Sequence, residues 1–246
     1  MKTLLISLSC VLATSGLYAT VEKKYDAYTP KNTIIVVDLD DVVLERNKKG
    51  VFKKAIKYGG RFLKGRKLFR ERKHIPGDKG QRYGEGFYVE LQRQGKTKLA
   101  KALKEVCIQK SLKKDTIKEL KKLRDAGFEI WCATNLGDTF FAELKRKYPE
   151  IFNNNFIKHG MTVDYTAKEI IQKPDPRYFE RLKERINPQG TKTLLFIDDK
   201  PENTQAARKA GLKTITFRRA GQMKQALHQF GICLCNDRYQ QADTNK

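Results

Sequence analysis

The chain has 246 residues, 39% of them hydrophobic and 10% aromatic, which is enough length and apolar material for a buried core and excludes a chain disordered throughout. Its formal charge of +23 is concentrated, because residues 45–114 hold 23 Lys and Arg against 6 Asp and Glu, a local +17. Such a field attracts polyanions, phosphorylated small molecules or an anionic membrane surface; its plainest form is a solvated Lys-rich face.

At the N-terminus Lys2 precedes the mostly apolar stretch Thr3 to Tyr18, and small residues surround a cleavage point after Ala19, so residues 1–19 read as a signal peptide. Ser7, Ser9, Thr14 and Ser15 interrupt the stretch, and a spanning helix needs about 20 apolar residues, so no membrane span is expected in the mature chain. Cleavage implies export, periplasmic or secreted; an uncleaved chain would be cytoplasmic or loosely membrane-anchored. Cleavage also removes Cys10 and leaves Cys107, Cys132, Cys233 and Cys235, an even set compatible with an oxidising compartment, whose pairing the sequence does not give. Cys132 lies in an apolar run and reads as a small buried hydrophobe, while Cys233 and Cys235 are half of a metal site that no second pair or nearby His completes.

Thr33 to Val37 is a short, largely β-branched run that predicts a fully buried parallel strand with Asp38, Asp40 and Asp41 at its C-terminal tip. Residues 45–114 follow as an insertion rich in Lys, Leu and Ala, broken by Pro76, Gly77 and the stretch Tyr83 to Tyr88, and read as a small, mainly helical cap. Its aromatics Phe62, Phe69, Tyr83, Phe87 and Tyr88 are expected to form its core rather than to stack bases. Beyond it the spacing predicts a helix over 115–125 stopped by Gly127, a strand over 128–133 ending at Thr134 and Asn135, and helices over 139–147 and 176–185. A strand over 193–197 then leads to Asp198 and Asp199, followed by a helix over 202–210 stopped by Gly211, a strand over 214–217 and a helix over 221–230. The alternation predicts an α/β fold, a doubly wound, Rossmann-like parallel sheet built from residues 20–44 and 115–246. In such sheets the carboxyl ends of the strands line the ligand crevice, and both acid-tipped strands deliver their carboxylates there.

Four separated segments carry this further: Asp38-Leu39-Asp40-Asp41-Val42, Thr134-Asn135, Lys173-Pro174-Asp175-Pro176, and Asp198-Asp199-Lys200-Pro201-Glu202-Asn203. In this order they resemble the four motifs of the haloacid dehalogenase (HAD) superfamily, over residues 33–44 and 115–219, with a cap inserted after the first motif. The resemblance implies a phosphohydrolase in which Asp38 is the nucleophile and Asp40 the general acid and base; the dehalogenase branch lacks an acid at that second position. It also implies phosphate binding by Thr134, Asn135 and Lys173. Magnesium is the implied cofactor, held by the Asp38 side chain, the Asp40 carbonyl and Asp199, with Asp198 behind Asp199. The chemistry is sound on its own terms, because a carboxylate can attack phosphorus to form an acyl phosphate, and clustered carboxylates facing a phosphate require a hard cation.

The expected partner is thus a phosphorylated, possibly polyanionic substrate. A competing reading makes the chain a binder of nucleic acid or an anionic surface through the basic insertion, with the phosphatase core secondary or acting on polynucleotide ends. Phosphomutase and dehalogenase chemistry are minor variants. His74, His159 and His228 have no metal-ligand spacing and are assigned no role. The substrate and the oligomeric state leave no signature.

Overall fold

The computed structural model describes residues 28–70 and 84–232. The expected leader 1–19, Cys233, Cys235, His74 and Tyr83 lie outside those residues, as do the side chains of Phe62 and Phe69. In chain order the first elements are β1 (Thr33–Val37), β2 (Leu44–Arg46), α1 (Lys48–Arg70), α2 (Glu85–Arg93), α3 (Thr97–Cys107) and β3 (Lys110–Leu112). Then come α4 (Lys114–Asp125), β4 (Glu129–Gly137), α5 (Asp138–Lys147), β5 (Ile157–Val163) and α6 (Pro176–Ile186). The chain continues through β6 (Thr193–Asp198), α7 (Pro201–Lys209), β7 (Lys213–Thr216) and α8 (Ala220–Gln229).

Every residue of β1 is buried, so its side chains supply both faces of the sheet. Ile35 and Val37 pack toward α4, α5 and α8 through Leu120, Leu123, Phe141, Leu144, Met223 and Leu227. Ile34 and Val36 point the other way, toward Tyr178, Phe179 and Leu182 of α6 and Ala207 of α7. The result is a five-stranded parallel sheet in the order β5-β4-β1-β6-β7, with helices on both faces, which is the doubly wound architecture expected. α6 shows how locally the sequence directs this. The Asp175 side chain accepts from Arg177 N at the N-cap, Pro176 sits in the first turn, and the buried Tyr178, Phe179, Leu182 and Ile186 recur at helical spacing.

β5 is missing from the sequence expectation, and the reason is geometric. Its buried positions fall at Ile157, Gly160 and Val163, every third residue rather than every second, because the pairing with β4 is irregular between Cys132 and Ala133. A side chain at Gly160 would run into the Cys132 carbonyl, so the strands meet where only glycine fits. β4 is also longer than expected and carries Thr134 and Asn135 within it rather than beyond its end.

The basic insertion emerges between β2 and β3, a two-stranded antiparallel ribbon whose three-residue strands carry no hydropathy pattern that sets them apart from their neighbours in the sequence. Phe87, Leu91, Ala100 and Leu103 form a small apolar core joining α2 to α3, with Tyr88 packed against it. Two contacts fasten this unit to α5. Lys104 pairs with Glu143 at 3.1 Å, and the buried Glu85 carboxylate accepts from the backbone N–H groups of Thr139 (2.8 Å) and Phe140 (3.0 Å). α5 has no side-chain cap of its own, so Glu85 supplies the missing N-cap from far along the chain. Gly137 is required beside it, since a Cβ there would occupy the space of the Glu85 carboxylate. Glu85→Ala should therefore lower stability by about 1–3 kcal/mol through two orphaned N–H groups, with Glu85→Gln costing less, as read from urea denaturation.

At the opposite, N-terminal edge of the sheet, Glu129 accepts from Lys158 (2.8 Å) and Lys192 (2.6 Å), tying β4 to β5 and to the start of β6. These two ammonium groups hold its pKa down at about 2 against the ordinary 4.5. A depressed carboxylate contributes stability above its unfolded pKa and loses it as pH falls toward the folded one. The stability of the wild type should therefore decline between about 4.5 and 2 more steeply than that of Glu129→Gln in denaturant titrations run across that range.

Candidate active site

β1 and β6 are adjacent and in register, so Asp38, one residue beyond β1, and Asp198, the last residue of β6, arrive side by side at the C-terminal edge of the sheet. Asp38 N donates to the Ile197 carbonyl at 2.8 Å, which fixes its backbone there. Carboxylate oxygens of Asp38, Asp198 and Asp199 all lie within 4.8 Å of one another. Lys173 reaches this cluster from the loop before α6. Its ammonium lies 2.8 Å from Asp38 Oδ1, 2.7 Å from Asp198 Oδ2 and 2.8 Å from the Ala133 carbonyl, so all three of its protons are engaged.

The electrostatics follow from burial. Asp38 is only 5% exposed, and desolvation is the main reason its pKa is pushed up to about 7; Lys173 pulls against the rise, and Asp198 and Asp40 add to it. Burial also works against the Lys173 ammonium, yet Asp38 and Asp198 together keep its pKa above the ordinary value. Asp199 is pushed up by burial and by its neighbours Asp198 and Asp41. The cluster thus carries more negative charge than Lys173 alone can satisfy.

The two acids of the β6 tip have different surroundings. Asp198 is saturated: Oδ1 accepts from Lys200 N and Asn203 Nδ2, and Oδ2 from Lys173 and Asn203. Asp199 Oδ1 is buried and has no hydrogen-bond partner among the described residues. A buried carboxylate oxygen without a donor, beside two further carboxylates, is what a hard divalent cation satisfies. The cluster therefore fits a metal ion, and Asp199 is the one of its three acids with a buried oxygen left unsatisfied.

The rest of the expected set converges here. Thr134 is buried in β4 near the sheet's C-terminal edge, and its hydroxyl accepts from Leu136 N. Asn135 clamps the Lys173 backbone, its Oδ1 accepting from Lys173 N and its Nδ2 donating to the Lys173 carbonyl, both at 2.9 Å. Its side-chain amide is thus occupied in positioning Lys173 rather than presented to a ligand. Asp40 follows Asp38 in a tight turn where Asp41 takes φ 61 and Leu44 N donates back to the Leu39 carbonyl. The Asp40 side chain is 40% exposed, and its Oδ1 lies 2.7 Å from Lys110 Nζ of β3. Lys110 and Asn203 extend the set. Asn203 stands in the fourth motif, but nothing in the sequence distinguishes Lys110 among 51 cationic residues.

An open parallel sheet with a carboxylate cluster and a buried lysine at its carboxyl edge is an α/β fold with its polar site where such sheets place their ligand crevice. The chain belongs to the haloacid dehalogenase-like hydrolases, whose family model matches residues 32–211. No curated protein matches the sequence. Among solved structures, a HAD family enzyme of Bacteroides thetaiotaomicron, in complex with magnesium and inorganic phosphate, superposes with a TM-score of 0.52 at 18% identity over 77% of this chain and 95% of that one. The L-2-haloacid dehalogenase of Xanthobacter autotrophicus gives 0.51 at 15% identity over 83% of this chain and 84% of its own. The magnesium-bound YfnB of Bacillus subtilis gives 0.51 at 16% identity, covering 82% of this chain and 99% of its own. At these identities the likeness is one of fold.

Proposed function

We propose that this hydrolase is a magnesium-dependent phosphomonoesterase acting through an aspartyl phosphate on Asp38. The observation that carries the reading is the unsatisfied Asp199 oxygen within the Asp38, Asp198 and Asp199 cluster, a site prepared for a cation. Magnesium would be held by the side chains of Asp38 and Asp199 and by the Asp40 carbonyl, with Asp198 fixing the site from behind through Asn203 and Lys173. When bound it supplies positive charge that lets a phosphate dianion approach three carboxylates. The Bacteroides relative bound to magnesium and phosphate supports the same choice.

The chain's own residues divide the chemistry. Asp38 forms a bond to phosphorus while the bond from phosphorus to the leaving oxygen breaks, and Asp40 donates the proton that oxygen needs. Asp40 then takes a proton from a water attacking phosphorus, and the bond between phosphorus and Asp38 breaks to release inorganic phosphate. Lys173 and Thr134 offset charge on the phosphoryl oxygens, and Asn135 keeps Lys173 in place. Asp40 also favours phosphoryl transfer over dehalogenation, which needs no proton donor there. The test is phosphate release from an aryl phosphate: it should vanish on chelation and return with magnesium. Turnover unaffected by chelation would sink the reading.

A further inference from the structure

Among the described residues two large hydrophobic side chains are exposed, Phe52 and Ile56, each at 67%, and they lie one turn apart on α1. The other exposed residues over 48–59 are Lys48, Lys49, Lys53 and Lys57. One face of the helix therefore consists of four lysines framing two apolar anchors, at the i, i+1, i+4, i+5 spacing that keeps residues on one side. The helix is not free to roll this face inward. Tyr58 is buried, and Lys54 is pinned to Glu105 of α3 at 2.8 Å, so the opposite side already packs on the insertion. No Asp or Glu occurs anywhere in 46–70, so nothing on α1 offsets the lysines.

We infer that the exposed face of α1 docks on an anionic lipid surface. Phosphate-rich polymers would reward the lysines but leave Phe52 and Ile56 without a partner. A bilayer interface offers both, negative headgroups for the ammonium groups and, immediately beneath, an apolar layer for the two anchors. Lysine stems suit this arrangement because they lie along apolar material while the charge stays in the headgroup region. The helix is too polar to cross, and none among the described residues is long and apolar enough to do so, so the association is in plane. It is independent of the reaction assigned to Asp38.

The test is flotation of the full chain with vesicles of phosphatidylcholine alone and of phosphatidylcholine with phosphatidylglycerol at about 3:1. The wild type should bind the mixed vesicles at least about tenfold more tightly, less so as salt is raised. Phe52→Gln with Ile56→Gln should weaken that binding at least about fivefold while leaving binding to duplex DNA and aryl phosphate turnover unchanged. Replacing Lys48, Lys49, Lys53 and Lys57 by Gln should remove the preference for anionic vesicles. Undiminished vesicle binding by the Phe52 and Ile56 variant would overturn the inference, and would assign any binding to residues 3–18, which every variant retains, or to charge alone. A DNA preference lost with the lysines and indifferent to Phe52 and Ile56, without vesicle binding, would overturn it in favour of nucleic acid.

Discussion

Asp38→Asn should lower magnesium-dependent phosphate release by about 10³-fold or more, with the folded structure intact. The amide is nearly isosteric, keeps the backbone bond to Ile197 and can still accept from Lys173, so the geometry of the β1 tip survives. It cannot attack phosphorus as a carboxylate does. Stability should stay near the wild-type value, because the Asp38 carboxylate is a cost to the metal-free fold: burial raises its pKa from 3.8 to about 7, so its ionisation lowers stability progressively as pH rises between those values and fully above them. A neutral replacement removes that cost while loosening one contact of Lys173. Activity lost without loss of stability separates a chemical role from a structural one. A variant retaining a tenth of the wild-type rate would end the assignment of Asp38 as nucleophile.

Lys173→Met should damage both properties. The ammonium is 1% exposed and is the shared counter-ion of Asp38 and Asp198, so its removal leaves two buried carboxylates facing one another. Breaking a buried pair by deleting one partner typically costs about 3–5 kcal/mol. The loss should be largest near neutral pH and smaller near pH 5, where Asp38, already raised to about 7 with its counter-ion present, takes up a proton. Magnesium should restore part of the stability by replacing the lost charge. Activity should fall by about 10²-fold to 10³-fold, the usual effect of removing a group that offsets charge in the transition state. Denaturant curves with and without magnesium at two pH values read all of this, and a loss below about 1 kcal/mol at neutral pH would show that Lys173 does not hold the two aspartates in balance.

The placement of the site is legible where sequence and local structure coincide. β1 and β6 are short, continuous apolar runs with acids immediately after them, and parallel pairing in register then leaves Asp38 beside Asp198 with little freedom. Asp175 and Pro176 mark the start of α6 and so locate Lys173 just before it. The proposed division of labour between Asp198 and Asp199 is implied by resemblance alone; what the structure adds is the saturation of one carboxylate by Asn203, Lys200 N and Lys173 and the orphaned oxygen of the other. Asn135 was expected at the phosphate, but its amide is turned to the Lys173 backbone, a distinction that rests on rotamer and not on sequence spacing.

What the sequence concealed are contacts between distant segments. β5 lost its period of two to a register irregularity at Gly160. Glu85 is one of six acids in a strongly basic stretch, and only the folded chain shows it capping α5. Lys110 meets Asp40 because the β2 and β3 ribbon folds back over the β1 tip, and one lysine in such a chain carries no distinguishing mark. The exposed Phe52 and Ile56 read as ordinary apolar positions of a helix until the face that packs on α3 is known.

The central claim is a covalent phosphoryl group on Asp38. It is tested most directly by quenching the enzyme in acid during turnover of an aryl phosphate with magnesium, reducing with borohydride and sequencing the peptides by mass spectrometry. An acyl phosphate is reduced to the alcohol, so homoserine should replace aspartate at position 38, in the presence of substrate and not in Asp38→Asn. Turnover without that product would contradict the account. So would ¹⁸O from labelled water entering the Asp38 carboxylate, since hydrolysis at phosphorus leaves those oxygens unexchanged, whereas hydrolysis of an alkyl ester at its carbonyl carbon would label them.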